Sequence, residues 1–511
     1  MDMLASRPER QIAQRGVTGF VAALIIAVLI AAACLAHAGW MLQNHDADWM
    51  FIAARRMVMG GHYVRDFNEV TPPMILIVLA PAAAVANLTA YPGYPVFLAY
   101  MGLLIAISLL LLRPTLRALL GASPRADLVL VLTAMILTFE PGYEFGQREH
   151  VFVVLFLPGL LWYLARDPDQ RLSPHQWTCL ILAAAAVMIK PYYLLVPAVL
   201  LGLHFIETRS WRVVLETPSI VFAAAAVLYL AVVLLIFPEY LTEARMQENI
   251  YFAWNRWWVT VLEFGRDSVA ALCLAAAIAW LTPFPAPAGR VPRRLCVTSL
   301  CCIVVVLWQR KGWPYHYLPA LEIAAFALAV AIPALWDRRA GGRPVIAAIA
   351  GLAAFLALRP LQEAIGTTQA RYASHPLIRG LHDRAAGQTV MLMTSGMQMG
   401  FPSLAGVEVG ASHPGQVLLA GVAQLEQGDA AARARAAPLR ETGIAMAVAD
   451  IQRFKPRFIA VDLRAARQGM PDHYDIFGHY MASPTFRDVW AGYRLDAHFE
   501  GWDLYRRAEG G

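Results

Sequence analysis

Charge is what this sequence has least of: only 15% of its 511 residues are Asp, Glu, Lys or Arg. An average soluble chain carries about 25%, so a soluble enzyme or binding module of this length is excluded. Lysine is scarcer still, with Lys190, Lys311 and Lys455 the only three among 42 basic residues. The net charge is +6, yet no basic run occurs and the arginines stand singly or in pairs between apolar stretches. That pattern belongs to membrane topology, not to a phosphate-backbone groove, so no nucleic-acid partner is expected. The six cysteines, Cys34, Cys179, Cys273, Cys296, Cys301 and Cys302, all fall inside apolar segments and lack metal-ligand spacing with histidine. A disulfide scaffold and a structural zinc site are thereby excluded. Solenoid repeats are absent too.

Long apolar runs are what the chain does have. Hydrophobic residues make up 59% and the mean hydropathy is +0.51, so the expected fold class is an all-α polytopic membrane protein. A spanning helix needs about 20 apolar residues. Segments near that size lie at 17–38, 92–112, 126–142, 150–165, 176–190, 191–206, 214–237, 266–282, 295–309, 315–335 and 344–359. The first follows Arg7, Arg10 and Arg15 and is longer than the core of a cleavable signal, so an uncleaved helix is expected. A twelfth stretch, 72–90, opens with Thr71-Pro72-Pro73 and contains Pro81.

Positive charge decides whether that stretch spans. With the N-terminus inside and 72–90 not spanning, the inner loops hold sixteen Lys and Arg and the outer loops nine. If it spanned, every later loop would reverse. The positive-inside rule therefore predicts about eleven spans, with 72–90 embedded beside the membrane. The expected domains are a transmembrane part over 1–359, with an outer loop at 39–90, and a small α/β domain over 360–511. Strand candidates there are 389–393, 458–462 and 502–506, with helical sequence near 428–450. The expected setting is a bacterial inner membrane, N-terminus cytoplasmic and C-terminal domain periplasmic.

Ionisable residues gather at the outer face. In the first outer loop, apolar Trp49, Ile52, Ala53 and Met57 recur at helical spacing, which predicts an amphipathic helix over 46–59 stopped by Gly60-Gly61. Asp46 and Asp48 would start it as caps. A carboxylate at that depth can also act as a general base towards a membrane-bound hydroxyl. The second outer loop packs Glu140, Glu144, Arg148, Glu149 and His150 into eleven residues, which suits either a functional membrane-edge cluster or a salt-bridged turn. Lys190 stands beside Tyr192-Tyr193, and Lys311 beside Trp313, Tyr315, His316 and Tyr317. Such cations can hold a lipid phosphate or merely snorkel from an aromatic belt. A weaker signal is the mixture of Glu239, Glu243, Arg245, Glu248 and Trp residues over 238–265.

Asp46, Met57, Gly61 and Pro72-Pro73 are spaced as in the GT-C superfamily of polyprenyl-phosphate-sugar-dependent glycosyltransferases, which the chain resembles in its aminoarabinose-transferase and protein O-mannosyltransferase branches. The likeness is sharp over about 46–73 and topological to residue 359. It implies an inverting transfer at the periplasmic face, from a polyprenyl-phosphate-linked sugar to a glycan, lipid or protein acceptor among the membrane lipids. It implies Asp46 as general base with Asp48 completing a DxD-like pair. Arg148, His150, Lys190, Lys311 and His316 would contact the donor phosphate and lipid, and Tyr63, Glu144, Glu149 and Tyr315 the substrates. A divalent cation, Mg or Mn, at Asp46 and Asp48 is optional. The rival expectations are a transporter or flippase, and a non-catalytic polysaccharide-assembly protein.

Overall fold

The structure, a computed structural model, describes residues 6–89, 93–121, 124–167, 171–255, 258–281, 290–336, 351, 366, 368–396, 401–467 and 469–508. The helices before the C-terminal domain are α1 Ser6–Gly39, α2 His45–Val58, α3 Met74–Thr89, α4 Gly93–Leu120, α5 Pro124–Phe139, α6 Arg148–Ala165 and α7 Pro174–Ile189. They continue with α8 Leu195–Thr208, α9 Thr217–Ile236, α10 Pro238–Glu248, α11 Trp258–Phe264, α12 Arg266–Leu281, α13 Arg290–Gln309 and α14 Leu318–Trp336. Seven described segments are long and apolar enough to cross a membrane: Gly19–Gly39, Gly93–Leu120, Arg148–Ala165, Pro191–Thr208, Thr217–Ile236, Arg290–Gln309 and Pro314–Pro333.

The eleven expected spans are therefore not all full-length helices. α5 and α7 have 16 residues each, or about 24 Å at 1.5 Å per residue, short of the ~30 Å hydrocarbon core, and α12 is described over 16 residues, up to Leu281. The segment 344–359 lies outside the described residues. α3 is also 16 residues long and runs unbroken through Pro81. Its Ile75, Leu76, Leu79, Ala82, Ala83 and Ala86 are buried while Ile77, Val85 and Leu88 are exposed, so one stripe packs and the other faces outward.

The chain forms two compact units. The first comprises Met1–Gly39, Leu98–Leu230 and Arg256–Gly366; the second comprises Trp40–Phe97, Ala231–Asn255 and Thr367–Gly511. In the helical unit, α6 and α14 are the innermost spans and α1 and α9 the outermost. The approach of α7 to α6 is close because Gly159 has no side chain: a Cβ there would stand 2.5 Å from the Cys179 carbonyl oxygen. The central helices carry Arg148, Glu149, His150 and Glu322, and His316 lies in the 3-10 turn Pro314–Tyr317 before α14.

The second unit joins the first outer loop to the C-terminal domain. That domain is a five-stranded sheet of β1 Thr389–Met393, β2 Glu408–Val409, β3 Phe458–Asp462, β4 Tyr493–Phe499 and β5 Trp502–Arg507, in the order β2-β1-β3-β5-β4. β2, β1 and β3 are parallel; β5 and β4 add as an antiparallel hairpin. β1 and β3 read as continuous apolar runs because both their faces are covered, β3 being buried at every position. Helix Ala430–Phe454 covers the sheet with Ile444, Ala447 and Ile451, packed with Met391, Ile459, Tyr480 and Trp490. All three expected strands and the expected helix are present.

Arg56 of α2 binds the loop to the domain. Its guanidinium donates to the carbonyls of Asp66 at 2.8 Å, Ala411 at 2.6 Å and Val409 at 2.5 Å. It also lies over the rings of Trp49 and Phe454. The Asn68 N–H donates to the Ser412 carbonyl at 2.6 Å, and Arg453 pairs with Asp66.

Candidate active site

α2 starts differently from the sequence expectation. Its cap is Asn44, whose Oδ1 accepts the N–H groups of Asp46 at 3.0 Å and Ala47 at 3.1 Å. Neither aspartate is needed as the cap, and both are buried, each 8% exposed. The reading of Asp46 and Asp48 as caps on a solvated loop is thus corrected. Asp46 lies 3.4 Å from the His45 ring. Asp48 accepts from Gln43 Nε2 at 2.6 Å and from Ser403 Oγ of the C-terminal domain at 3.5 Å. Burial pushes the Asp48 carboxyl up to about 7, although both hydrogen bonds work downward. A carboxyl held near neutrality is suited to moving a proton.

Gln43, Ser403 and His413 are neighbours that no local pattern marks. His413 lies edge-on to Trp49 with ring centroids 5.5 Å apart. Tyr63, expected at the substrate, is buried among aromatic rings. Its ring meets Phe67, Phe237 and Tyr240, and its hydroxyl donates to the Thr71 carbonyl at 3.3 Å. Nearby, buried Glu243 of α10 accepts from Gln247 at 2.7 Å, and burial, with the Glu69 charge adding, pushes its carboxyl to about 7.

In the helical unit, Glu149 is the hub of the cationic residues. Lys190, at the break after α7, donates its Nζ to Glu149 Oε1 at 2.6 Å. Arg148 Nε stands 3.5 Å from Oε2, and His316 Nε2 stands 3.9 Å from Oε1. Arg148 also donates to the Tyr315 hydroxyl at 3.1 Å and lies 5.1 Å from the centre of that ring. Lys311 is 6% exposed, its charge acts on the His316 ring, and burial holds its ammonium down to about 8. The structure therefore gathers Arg148, Glu149, Lys190, His316, Tyr315 and Lys311 from three separate stretches of chain. Glu149, expected at the substrate, first serves to hold the cations.

His150 does not join them. Its Nδ1 accepts the Gly146 N–H at 3.0 Å and its Nε2 lies 2.9 Å from the Leu137 carbonyl. Both ring nitrogens meet backbone, and the ring braces the turn before α6. Glu144 lies buried in that turn, in the 3-10 segment Gly142–Glu144. One buried group escaped the sequence reading, Glu322 of α14, 4.0 Å from His150; Tyr193, expected beside Lys190, is stacked 4.1 Å from Phe152. The Tyr193 hydroxyl has no hydrogen-bond partner among the described residues.

Among the described residues no three His, Cys, Asp or Glu side chains gather as a metal site would require. Asp46 and Asp48, two residues apart on a helix, point away from each other.

No family model matches the sequence, and no curated protein matches it. The fold does have solved counterparts. A crystal structure of ArnT from Cupriavidus metallidurans bound to undecaprenyl phosphate superposes with a TM-score of 0.56 at 14% identity, covering 96% of this chain and 99% of that one. The apo state of the same protein gives 0.54 at 14% identity over 96% and 98%. A cryo-electron-microscopy structure of the arabinofuranosyltransferase AftD from Mycobacteria gives 0.45 at 14% identity, over 96% of this chain and 40% of that one. The chain thus shares the fold of the ArnT structures along nearly its whole length.

Proposed function

We propose, with that fold as premise, that this chain is a membrane glycosyltransferase that moves a hexose or pentose from a polyprenyl-phosphate donor to a cell-envelope acceptor. The observation that carries the reading is Asp46: a buried carboxylate on the helix after the first span, relieved of capping by Asn44. In this reading Asp46 takes the proton of the acceptor hydroxyl as its oxygen bonds to the anomeric carbon. The bond from that carbon to the phosphate oxygen breaks, its electron pair leaves with the polyprenyl phosphate, and configuration inverts. Arg148, Lys190 and Lys311 would stabilise the charge growing on the leaving oxygen. The gathering of Arg148, Lys190 and Lys311 around Glu149 supports this role. The bound undecaprenyl phosphate of ArnT supports a donor of this class.

The surplus of inner-loop arginine supports a cytoplasmic N-terminus, with the transfer and the C-terminal domain at the periplasmic face. Mass spectrometry of envelope lipids and glycans, with and without the gene, tests the activity. A glycosyl mass increment that disappears on deletion and returns on complementation is expected; identical profiles would refute the reading. A periplasm-only reporter fused after Gly511 should give signal, and signal from a fusion within 284–294 would reverse the orientation.

A further inference from the structure

One ionisable side chain of the C-terminal domain reaches the face of α2 that carries Asp46. His413 meets Trp49 edge-on, and Trp49 stands three residues after Asp46, so the two share that face. The Asp46 charge acts on the His413 ring. His413 Nδ1 lies 3.1 Å from the Gly415 nitrogen and 3.2 Å from the Gly415 carbonyl oxygen. Accepting the Gly415 N–H there satisfies a buried backbone donor and leaves the proton of the neutral ring on Nε2. Burial favours that neutral form, holding the imidazole down to about 4. Trp49, the ring it meets, carries an indole N–H that, on a side chain 1% exposed, has no hydrogen-bond partner among the described residues.

The loop carrying His413 is fixed in place. Ser412 accepts the Asn68 N–H through its carbonyl and donates its hydroxyl to Asp450 at 3.0 Å. Arg56, whose guanidinium also lies over Trp49, spends its N–H groups on the carbonyls of Asp66, Val409 and Ala411. What this face offers a ligand is therefore a carboxylate and two N–H donors from neutral rings. Such donors match hydroxyl oxygen, whereas a phosphate calls for Arg or Lys.

We propose that His413 is an acceptor-binding residue: its Nε2–H, with the Trp49 N–H, holds a hydroxyl-bearing acceptor against Asp46. The C-terminal domain is then part of the catalytic apparatus. This rests on Asp46 being the base. The test uses the full chain in lipid nanodiscs, membranes of the deletion strain as substrate source, and the mass increment lost on deletion as readout. His413→Ala should lower the rate at limiting acceptor on the order of 10²-fold, the usual cost of a misplaced reactant, with the donor requirement unchanged. His413→Gln, which keeps an N–H near the Nε2 position, should recover most of it.

Wild-type rates in His413→Ala, with Asp46→Asn inactive, would overturn this proposal and leave the base assignment standing. Equal losses in His413→Ala and His413→Gln, at unchanged unfolding temperature, would overturn the role of the N–H. Activity in Asp46→Asn would remove the base assignment itself, and this proposal with it.

Discussion

The two units each bury a polar cluster, and the clusters are built on opposite principles. In the helical unit, Arg148 and Lys190 converge on the carboxylate of Glu149. Burying charges costs several kcal/mol per ion unless they are paired, and Glu149 makes the pairing. In the other unit, Asp48 is held by an amide and a hydroxyl, Gln43 and Ser403, and the nearby Arg56 is turned to carbonyls. Without a cation as partner, burial drives the Asp48 proton affinity up. Paired cations stay charged when buried; a carboxylate among neutral donors takes up a proton more readily.

Asp46→Asn breaks the comparison most severely. It keeps the size and the helix but removes the proton acceptor, so turnover should fall roughly 10²–10⁴-fold, the usual worth of general-base catalysis. Expression and unfolding temperature should hold. Loss in Asp48→Asn alone would move the role two residues along the helix.

In the cationic cluster, Lys190→Met should lower turnover on the order of 10²-fold, as loss of a donor to a developing negative charge does. It also strands Glu149, so Lys190→Arg, which keeps the charge, serves as control for folding. Glu149→Gln should act oppositely on binding, since it adds one net positive charge. A short-chain prenyl phosphate should then inhibit at lower concentration than in the wild type. Weaker inhibition would mean that Glu149 itself faces the ligand.

Local pattern reached some of this and not the rest. The 3.6-residue spacing of Trp49, Ala53 and Met57 marked α2 within a residue or so, and the apolar runs at 389–393 and 458–462 marked β1 and β3. The cap was misplaced because Asn44 and Asp46 are both good capping types, and only the backbone shows which oxygen meets the N–H groups. The pairings at each cluster were out of reach for another reason. Lys190 and Glu149 are 41 residues apart and Ser403 and Asp48 are 355 apart, so nothing in either neighbourhood encodes the partner. The contacts of His150 were equally hidden: it stands in a dense ionisable stretch, and its ring nitrogens meet the backbone of Gly146 and of Leu137 in α5.

Asp48 should affect stability more than rate, and its effect should depend on pH. Unfolded, it takes up its proton near the ordinary value of 3.8; folded, near 7. The folded chain therefore holds a proton that the unfolded chain has lost between those limits. The stability this contributes is complete below about pH 4 and is lost as pH rises through 7. Asp48→Asn keeps an acceptor for Gln43 and has no charge to bury. Its unfolding temperature in detergent should match the wild type near pH 4 and exceed it increasingly up to pH 8. A gap that does not change with pH would show that Asp48 is not held near neutrality.

The smallest expected effect is that of removing divalent metal, which we predict leaves turnover unchanged. Two aspartates separated by one residue chelate a cation when the backbone lets both carboxylates turn the same way. On α2 they cannot do so, because residues two apart on a helix point to different sides. Asp48 has, besides, one oxygen accepting from Gln43 and the other facing Ser403, so recruiting it would strip a buried carboxylate of its donors. A hard cation takes six or more oxygen ligands, and Asp46 alone is a poor start. The phosphate side does not require one either, since Arg148, Lys190 and Lys311 already supply positive charge. Chelation with EDTA, followed by Mg or Mn add-back, should give superimposable progress curves. Activity lost to EDTA and restored by either ion would show that Asp46 and Asp48 rearrange around a metal, and that the carboxylate cluster is no longer the cation-free half of the comparison.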